Sequence, residues 1–440
     1  MDRTKLYQIV VIGGGFAGLR TALELDKRRA RIGKCEITIV DRVCEHVYTP
    51  LLYEVCAGEL ESCGTAPVKA LRSGVAFSLP VYVSRVRRGR IRFVHGVVEG
   101  IDTEKKVVSV NGARLLPYNA LVVAPGVTTN TFGIPGVEAC ALKLKTLGGS
   151  IAVRERLCAL VAEVMAGKKD RMQVVVCGAG ATGTEFAAEL AHWFRVIERA
   201  QAWNPGTARV VLVDAGPTLL SAFSARVQKR AATRLAELGV EIRLGTSVEK
   251  MEVGTVCLVK KTKEGNVLSS EQVASDISVW TAGIKPHDAV STWNLTTDAK
   301  GSIVVDATFA VKDRLDVYAL GDAAALFHPK TNARVPALAQ AAIKESAIVA
   351  ENLVRRLERK LPVNWTPPEK WISVIPLGGA FALADLGSVV ISGKLGYAIR
   401  RLVDLIYFFS ILPPRTAWKI WRKGMEEFGK NDVRATIPGI

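Results

Sequence analysis

The first part of the chain alternates between short apolar runs and an amphipathic stretch. Residues Tyr7 to Ile12 are apolar at nearly every position and rich in β-branched side chains, which predicts a buried strand. An alanine- and leucine-rich helical pattern follows from Phe16 to Leu25, and Cys35 to Asp41 predicts a second buried strand. This order of elements predicts a βαβ unit with a parallel sheet.

The segment GGGFAG, residues 13–18, joins the first strand to the helix. In a dinucleotide-binding turn, Gly13 allows the tight bend, Gly15 lets the backbone approach a diphosphate, and Gly18 lets the helix pack against the strand. Asp41 lies near the expected offset of roughly 20 residues, where a carboxylate accepts hydrogen bonds from ribose hydroxyls. The context favours a dinucleotide site over a glycine-rich turn without a ligand.

A second strand–helix–strand pattern begins at residue 173. The run QVVVC leads into GAGATG, whose glycines are Gly178, Gly180 and Gly183, and a helix is predicted from Thr184 to Phe194. The next strand ends at Asp214, where an acid accepts a free 2′-hydroxyl and repels a 2′-phosphate. The polar insert 202–208 accounts for the long offset. Two complete patterns predict two bound dinucleotides, with NADH favoured over NADPH at the second.

Later segments could complete the first site. A buried strand from Ala120 leads into the small-residue turn at Gly126, and another strand, from Val317, ends in Gly-Asp. The carboxylate of Asp322 could accept a hydroxyl of a ribityl chain. A helix is predicted from Pro336 to Leu357, with Gln340 and Lys344 on one face, a pattern that is also typical of a solvated helix surface.

Two other segments leave their interpretation open. The segment 47–58 contains Thr49, Pro50 and several small residues, so a flat ring could approach its main chain, but an ordinary buried loop explains it equally well. The segment 81–92 carries arginines at near-alternating positions, which predicts a strand with a cationic face. Solvation of that face is favoured over contact with lipid or phosphate.

Composition sets wider limits. The chain has 440 residues, 49% hydrophobic and 23% charged, which predicts a globular protein of two or three domains. A net charge of +17 implies an anionic partner, and nucleic acid is disfavoured because no nucleic-acid-binding motif is present. The eight cysteines form no CxxC pair and indicate reduced thiols in a cytosolic setting. The five histidines lack metal-ligand spacing, so we expect no metal site.

The C-terminal tail differs in kind. Between residues 394 and 423 it has seven basic residues and one acid, with an apolar aromatic run from Leu405 to Leu412 and the tryptophans Trp418 and Trp421. That run is far shorter than the ~20 residues needed to span a bilayer. A basic face with aromatic anchors predicts a helix in the membrane interface. The alternative is a dimerisation helix that buries the same side chains, and both uses are compatible.

Taken together, these motifs resemble the type II NADH dehydrogenases, single-subunit NADH:quinone oxidoreductases of respiratory membranes. The similarity extends over nearly the whole chain. It is carried by GGGFAG (13–18), YTPLLYEV (48–55), VVAPG (122–126), GAGATGTEFAAEL (178–190), WTAGI (280–284), YALGD (318–322), LAQAAIKE (338–345) and LADLG (383–387).

The resemblance implies an α/β fold with two Rossmann-like dinucleotide-binding domains, as in glutathione reductase, and C-terminal amphipathic membrane-anchoring helices. It implies FAD in the first domain and NADH in the second. The implied catalytic residues are Glu185, Gln340 and Lys344. The implied cofactor-binding residues are Gly13, Gly15, Phe16, Ala17, Gly18, Asp41, Arg42, Thr49, Pro50, Ala124, Gly126, Gly178, Gly180, Thr182, Gly183, Glu185, Asp214, Ala282, Gly283, Gly321, Asp322, Ala339 and Gln340.

The same resemblance implies that hydride passes from C4 of NADH to N5 of FAD, and that two electrons then reduce a membrane quinone without proton pumping. We expect a homodimer, attached peripherally to the cytoplasmic face of the cell membrane, since no signal peptide precedes the first strand. The expected segments are a first FAD-binding part (1–147), an NADH-binding domain (148–275), a second FAD-binding part (276–370) and a membrane-anchoring region (371–440).

The sequence departs from the family at two positions. Lys344 stands where the family's AQxxxQ motif has its second glutamine, and Phe381 stands where many members have a lysine. These changes affect the quinone site and the proton route. Sulfide:quinone oxidoreductase and the disulfide reductases are rival assignments, disfavoured because no cysteine follows Cys257 and no early CxxxxC is present. A non-catalytic flavoprotein that senses NADH at a membrane is a rival from another class.

Overall fold

A computed structural model describes residues 6–57, 65–86, 90–262 and 264–434. By their internal contacts, the residues divide into two compact units. Unit 1 contains residues 1–47, 76–128 and 284–369, and unit 2 contains residues 48–75, 129–283 and 370–440. The two predicted strand–helix–strand patterns fall in different units.

The centre of unit 1 is a six-stranded sheet around the first apolar run. β1 (Tyr7–Ile12) pairs in parallel with β2 (Cys35–Asp41) on one side and with β9 (Ala120–Val123) on the other, with Ile9 aligned with both Ile37 and Ala120. Its residues are buried on both faces except for Gln8, as expected of a central parallel strand. In spatial order the strands are β21 (Ala310–Val311), β22 (Arg314–Ala319), β9 (Ala120–Val123), β1 (Tyr7–Ile12), β2 (Cys35–Asp41) and β5 (Ile91–His95).

Helices and smaller sheets complete unit 1. Helix α1 (Phe16–Lys27) packs closely against α10 (Ala339–Leu357), and the Ser346 hydroxyl donates to the Ala17 carbonyl at 2.9 Å. The helices are α1 (Phe16–Lys27), α2 (Arg29–Ile32), α5 (Leu79–Val81) and α10 (Ala339–Leu357). The further strands are β3 (Glu45–Val47), β4 (Ala76–Ser78), β6 (Val98–Asp102), β7 (Val107–Val110), β8 (Arg114–Pro117), β19 (Ile284–Pro286), β20 (Ile303–Val304) and β23 (Ala324–Ala325). Strand β10 (Val127–Thr129) lies at the end of the segment 76–128 of unit 1.

Unit 2 has a five-stranded parallel sheet as its centre. β12 (Met172–Cys177) pairs with β13 (Ala208–Asp214) and with β18 (Ile277–Trp280), so that Cys177 aligns with Val213 and Trp280. In spatial order the strands are β11 (Ala141–Lys143), β18 (Ile277–Trp280), β12 (Met172–Cys177), β13 (Ala208–Asp214) and β14 (Glu241–Leu244). The helices around them are α6 (Val137–Cys140), α7 (Leu147–Met165), α8 (Ala181–Ala200) and α9 (Ala225–Glu237), and an antiparallel sheet is formed by β15 (Ser247–Glu252), β16 (Thr255–Lys261) and β17 (Val267–Ala274).

The remainder of unit 2 comes from the two ends of its sequence. It contains α3 (Leu52–Cys56), α4 (Thr65–Val75), the antiparallel strands β24 (Ser373–Pro376), β25 (Ala382–Asp385) and β26 (Val390–Gly393), and the helices α11 (Lys394–Ile411) and α12 (Pro414–Arg434). A row of arginines on α9 attaches the β24–β26 sheet: Arg226 donates to the Ser388 carbonyl at 3.0 Å, and Arg230 donates to the Val390 carbonyl at 2.6 Å.

Two structural expectations from the sequence are wrong. The predicted strand over 81–92 is helical between Leu79 and Val86, because Leu79, Tyr82 and Val83 are buried at helical rather than alternating spacing. The strand begins only at Ile91, and Arg87 and Arg88 lie outside the described residues. Cys158 is disulfide-bonded, so the prediction that the cysteines are reduced is wrong for this residue. The spacing of the cysteines along the sequence does not show which of them lie close together in the fold.

The prediction that the tail presents a basic face is also wrong in part. Arg400, Arg401 and Asp404 are buried in unit 2, because polar partners far away in the sequence pair with them. Among the described residues, no helix is both long enough and apolar enough to cross a bilayer.

Candidate functional site

The glycine turn of unit 1 has the geometry of a phosphate-binding loop. Gly13 has φ +99°, and a Cβ on it would lie 2.1 Å from the Ala124 carbonyl oxygen. A Cβ on Gly18 would lie 1.9 Å from the Gly13 carbonyl oxygen, so only glycine fits at either position. Gly15 faces open space, with no atom within 4 Å of its ideal Cβ. Helix α1 then begins at Phe16 without a side-chain cap, which leaves its first N–H groups available to an anion.

Asp41 fastens this turn to the end of β2. Its Oδ2 accepts a hydrogen bond from the Gly14 N–H at 2.6 Å, and its Oδ1 accepts one from the Val43 N–H at 2.8 Å. Each carboxylate oxygen keeps a further lone pair for a ribose hydroxyl. His46, which the sequence reasoning missed, is buried below the turn with its Nδ1 2.9 Å from the Gly14 carbonyl, and burial lowers its pKa to about 4. A neutral His46 therefore donates to that carbonyl.

A small cleft lies beside Asp41. It has a volume of about 70 Å³, and its walls include Gly13, Arg42 and Trp293. The Arg42 Nη1 lies 2.7 Å from Nε2 of His287, which also lines the cleft. The open side of Gly15 and the free N–H groups of α1 fit the diphosphate of a dinucleotide, and the cleft lies beside the carboxylate that could accept its ribose hydroxyls.

The Gly-Asp turn of unit 1 lies against α1 and α10. Gly321 has φ +71°, and a Cβ there would lie 3.0 Å from the Ala17 Cβ. The Gly321 N–H donates to Oε2 of Glu345 at 2.7 Å. Burial, with a smaller contribution from nearby Asp322, raises the pKa of Glu345 to about 7. Sequence reasoning missed Glu345, although it stands next to Lys344 in the quoted motif.

The predicted residues of α10 differ in their exposure. Ala339 is the first residue of the helix, Gln340 is half-buried, and Lys344 is exposed one turn later on the same face. The remaining predicted residues of unit 1, Ala124 and Gly126, follow β9, where Gly126 has φ +72°. Unit 1 therefore brings the first glycine turn, Asp41 and the Gly-Asp turn into a single region around β1.

The glycine turn of unit 2 repeats this geometry. Gly178 has φ +113°, a Cβ on Gly183 would lie 1.8 Å from the Gly178 carbonyl oxygen, and Gly180 faces open space. Asp214 accepts from the Ala179 N–H at 2.6 Å through Oδ2 and from the Gly216 N–H at 2.6 Å through Oδ1. The second turn therefore fits a second dinucleotide.

Three further residues of the predicted cofactor site lie beside the second turn. Thr182 is exposed in the first turn of α8, and Ala282 packs against Gly178, whose Cβ would lie 2.6 Å from the Ala282 Cα. A Cβ on Gly283 would lie 2.6 Å from the Phe132 ring.

Glu185 lies on α8, one turn after the second glycine loop. Burial, opposed by the positive charge of Arg400 and reinforced by the negative charge of Glu54, raises its pKa to about 8. At neutral pH this carboxyl therefore holds a proton. It can donate one hydrogen bond while its other oxygen accepts.

A buried polar network in unit 2 surrounds this region. Nη2 of Arg401 pairs with Oε2 of Glu54 at 3.1 Å, and the Tyr53 hydroxyl donates to Oε1 of Glu54 at 2.6 Å. The Tyr48 hydroxyl donates to Oδ1 of Asp404 at 2.7 Å, and Arg400 pairs with the same carboxylate.

This network connects α11 with the segment predicted to approach a flat ring. Arg400 also donates to the Pro50 carbonyl at 3.1 Å, while Thr49 is exposed. Sequence reasoning missed the network, because its local signals, the spacings of Asp404 from Arg400 and Arg401, do not show the partners that lie far earlier in the chain.

The fold and the two turns define a flavoprotein-type oxidoreductase with two dinucleotide-binding folds. A family model, pyridine nucleotide-disulphide oxidoreductase, matches residues 7–346, and the chain belongs to this family. Membership confirms the predicted fold, and the predictions of an oxidoreductase enzyme that uses FAD and a pyridine nucleotide are also confirmed.

Individual relatives support the resemblance found in the sequence. The type II NADH:quinone oxidoreductase Ndh of Mycobacterium tuberculosis is 28% identical over 94% of this chain and 87% of its own length. The NDH2 structure from Plasmodium falciparum, solved with NADH, is 16% identical, superposes with a TM-score of 0.79, and the match covers 96% of this chain and 99% of that one. The sulfide:quinone oxidoreductase of Aquifex aeolicus has the same fold, with a TM-score of 0.74, 17% identity and coverage of 95% and 92%.

Proposed function

We propose that this protein oxidises NADH and reduces a membrane quinone. The observation that supports this most strongly is the repeated turn, in which Asp41 and Asp214 each fasten a glycine loop with an open side to a parallel strand. The curated relatives named as NADH:quinone oxidoreductases point to the same activity. When bound, FAD would supply the redox chemistry, which is acceptance of hydride from NADH and delivery of two electrons to the quinone.

The residues of the chain bind FAD and NADH, orient them and discriminate NADH from NADPH. In unit 1, the N–H groups at the start of α1 hold the diphosphate of FAD, and Asp41 holds its ribose. In unit 2, the corresponding groups of α8 and Asp214 hold NADH. Because the carboxylate of Asp214 would repel a 2′-phosphate, NADPH is the poorer substrate. The predicted cofactor residues and segment boundaries are part of this proposal.

Glu185, Gln340 and Lys344 are the proposed catalytic residues. The protonated carboxyl of Glu185 holds a proton on the unit that binds NADH, and its raised pKa makes that proton available near neutral pH. The half-buried amide of Gln340 and the exposed ammonium of Lys344 donate hydrogen bonds to a quinone carbonyl from one face of α10.

The surface of α11 favours attachment to a membrane interface. Leu395, Leu402, Ile406 and Phe409 are exposed at helical spacing, with 59% of the Ile406 surface accessible. Trp418 of α12 is also exposed, and the cations Lys394, Arg415, Lys419 and Arg422 accompany these side chains. Apolar anchors with cations fit a helix lying on anionic lipid at the cytoplasmic face, without proton pumping. A homodimer would bury part of the same surface.

Sulfide chemistry fits the buried thiols of Cys56 and Cys177 poorly. It needs thiolates, but burial raises the pKa of Cys177 to about 12 and raises that of Cys56 further. These thiols stay protonated at neutral pH, so they are poor nucleophiles.

Steady-state oxidation of NADH by the purified FAD-loaded protein tests the proposal directly. Menaquinone, ubiquinone and plastoquinone analogues serve as acceptors, with NADPH and sulfide as competing donors. We expect rapid oxidation of NADH with at least one quinone and slow use of NADPH and sulfide. Slow turnover with every quinone would overturn the proposal in favour of a non-catalytic NADH-binding flavoprotein. Rapid oxidation of sulfide would favour a sulfide:quinone oxidoreductase.

A further inference from the structure

The second half of α8 carries cations that the proposed function does not use. His192, Arg195 and Arg199 follow one another at helical spacing and line a cleft together with Arg234 of α9. The cleft has a volume of about 170 Å³, and its other walls are Val196 and Leu238. None of the described side chains that line it is a carboxylate.

Arg234 is held in place by the tip of the β24–β25 hairpin. Its Nε donates to the Leu377 carbonyl at 3.2 Å, and Nη2 donates to the Gly378 carbonyl at 3.3 Å. Its guanidinium lies over the Phe381 ring, 4.6 Å from the centroid. Carbonyls and an aromatic face stabilise a cation without neutralising it. A lysine at position 381, common in the family that the sequence resembles, would instead repel Arg234.

The same hairpin tip packs against His192. Gly379 has φ +62°, and a Cβ on it would lie 2.7 Å from Cε1 of the His192 ring. The nearby carboxylate of Glu189 accepts a hydrogen bond from the Gly379 N–H at 3.2 Å. The base of the cleft is therefore fixed by close packing.

Arg195 and Arg199 complete the cluster from the exposed side. In the part of the chain that the structure describes, neither guanidinium forms an ion pair or hydrogen bond. The ion pair between Arg234 and Glu237, at 3.4 Å, involves a largely exposed carboxylate and offsets little of the positive charge. Three guanidiniums around one cleft repel each other, and a bound anion would relieve this repulsion.

We propose that this cleft is a binding site for a phosphate group. Guanidiniums bind phosphate through paired N–H donors, and a phosphate offers several acceptor oxygens to donors that converge from two helices. The site is separate from the NADH turn, because His192 is 11 residues beyond the start of α8, or roughly 16 Å along the helix. The phosphate belongs either to a soluble diphosphate compound or to the headgroup of an anionic lipid.

Calorimetric titration of the FAD-loaded protein with inorganic pyrophosphate, at saturating NAD⁺ so that the second glycine turn is filled, tests the site. The variant is Arg195→Ala/Arg199→Ala. The matched control is Lys168→Ala/Arg171→Ala, which removes two exposed cations of unit 2 that do not line the cleft. Each protein is also sedimented with phosphatidylglycerol vesicles and with phosphatidylcholine vesicles.

We expect the cleft variant to lose about tenfold or more in affinity for pyrophosphate or for phosphatidylglycerol, while the control stays near wild type. Loss for pyrophosphate alone identifies a soluble ligand, and loss for phosphatidylglycerol identifies a lipid headgroup. Equal losses in variant and control would show only the effect of net charge and would overturn the proposal. Absence of any loss in the cleft variant would overturn it as well. NADH oxidation should be unchanged, so this test does not depend on the proposed function.

Discussion

The hydroxyl of Tyr48 donates a hydrogen bond to the carboxylate of Asp404 at 2.7 Å, which joins α11 to a segment 356 residues earlier. Both side chains are buried, and Asp404 is also the ion-pair partner of Arg400. Burial raises the pKa of Tyr48 to about 12, so the hydroxyl keeps its proton and remains a donor. The helix proposed to lie on lipid is therefore connected to the YTPLLYEV motif through buried polar groups.

Asp404→Ala should destabilise the protein strongly. Removal of the carboxylate leaves the buried guanidinium of Arg400 without its counter-ion, and breaking a buried pair in this way costs about 3–5 kcal/mol. Tyr48→Phe removes one neutral donor to this carboxylate and should cost less, about 1.5–3 kcal/mol. Thermal unfolding followed by intrinsic fluorescence gives the order of the variants. Leu402→Ala, an exposed change on the same helix, is the control, and an equal effect of all three would contradict the prediction.

Asp214→Ala should improve the use of NADPH relative to NADH. The carboxylate that would repel a 2′-phosphate is removed, and we expect the ratio of kcat/KM values to shift by about tenfold, or ~1.4 kcal/mol. Because Asp214 also accepts two backbone N–H groups, Asp214→Asn is the companion variant that keeps one acceptor oxygen. Asp170→Ala, at an exposed position of the same unit, should leave the ratio unchanged. An unchanged ratio in both Asp214 variants would refute this specificity argument.

Quinone reduction should slow as the pH rises through about 8. Burial holds the pKa of Glu185 at about 8, so its carboxyl carries the proton below this pH and loses it above. Glu185→Gln cannot release a proton, so its rate should be lower and should lack this fall. The check is a profile of kcat against pH between 6 and 9.5, roughly one to two units on either side of the pKa. Glu155→Gln on the exposed side of α7 should behave as wild type; if Glu185→Gln does too, the proposed role is wrong.

The β1–α1–β2 unit was predictable because its signals are local. Apolar runs, glycines and Asp41 lie within 35 residues, and the steric needs of Gly13 and Gly18 are set by their own turn. The second unit was predictable for the same reason. The polar insert 202–208 between the helix and the strand does not hide the pattern. In the structure this insert follows the end of α8 at Ala200 and reaches the start of β13 at Ala208.

Other features depend on contacts distant in sequence, and these were missed. Arg400 and Arg401 belong to a basic stretch, and their burial depends on Tyr48 and Glu54, which no count over the tail includes. From the sequence alone, the β24–β26 sheet is not distinguished from the anchoring region. Its strands are short, and the arginines of α9 that stabilise them lie far away in the sequence. The consequence of Phe381 likewise emerges only when Arg234 is seen above its ring.

Stability should fall between about pH 4.5 and pH 7 through Glu345. Its ordinary pKa of 4.5 is raised to about 7 in the folded protein, mainly by burial. In that range the folded state binds more protons than the unfolded state, so unfolding becomes easier as the pH rises. Glu345→Gln keeps an oxygen that can accept from the Gly321 N–H but does not titrate. Its melting temperature should depend less on pH than that of wild type over this range, and parallel curves for the two proteins would contradict the assignment.

Charge placed on the exposed stripe of α11 should release the protein from anionic vesicles. In Ile406→Glu, a carboxylate replaces an apolar side chain that is 59% exposed, and it would meet both the acyl region and the negative lipid surface. We expect binding to phosphatidylglycerol vesicles to fall by about tenfold or more, whereas NADH oxidation with a water-soluble quinone is retained. Val389→Glu is the matched control, because Val389 is 53% exposed but lies before β26, outside the two helices. Co-sedimentation measures both variants. Equal losses would show that added negative charge alone weakens binding, and tight binding by Ile406→Glu would indicate that the stripe faces a second copy of the chain instead of lipid.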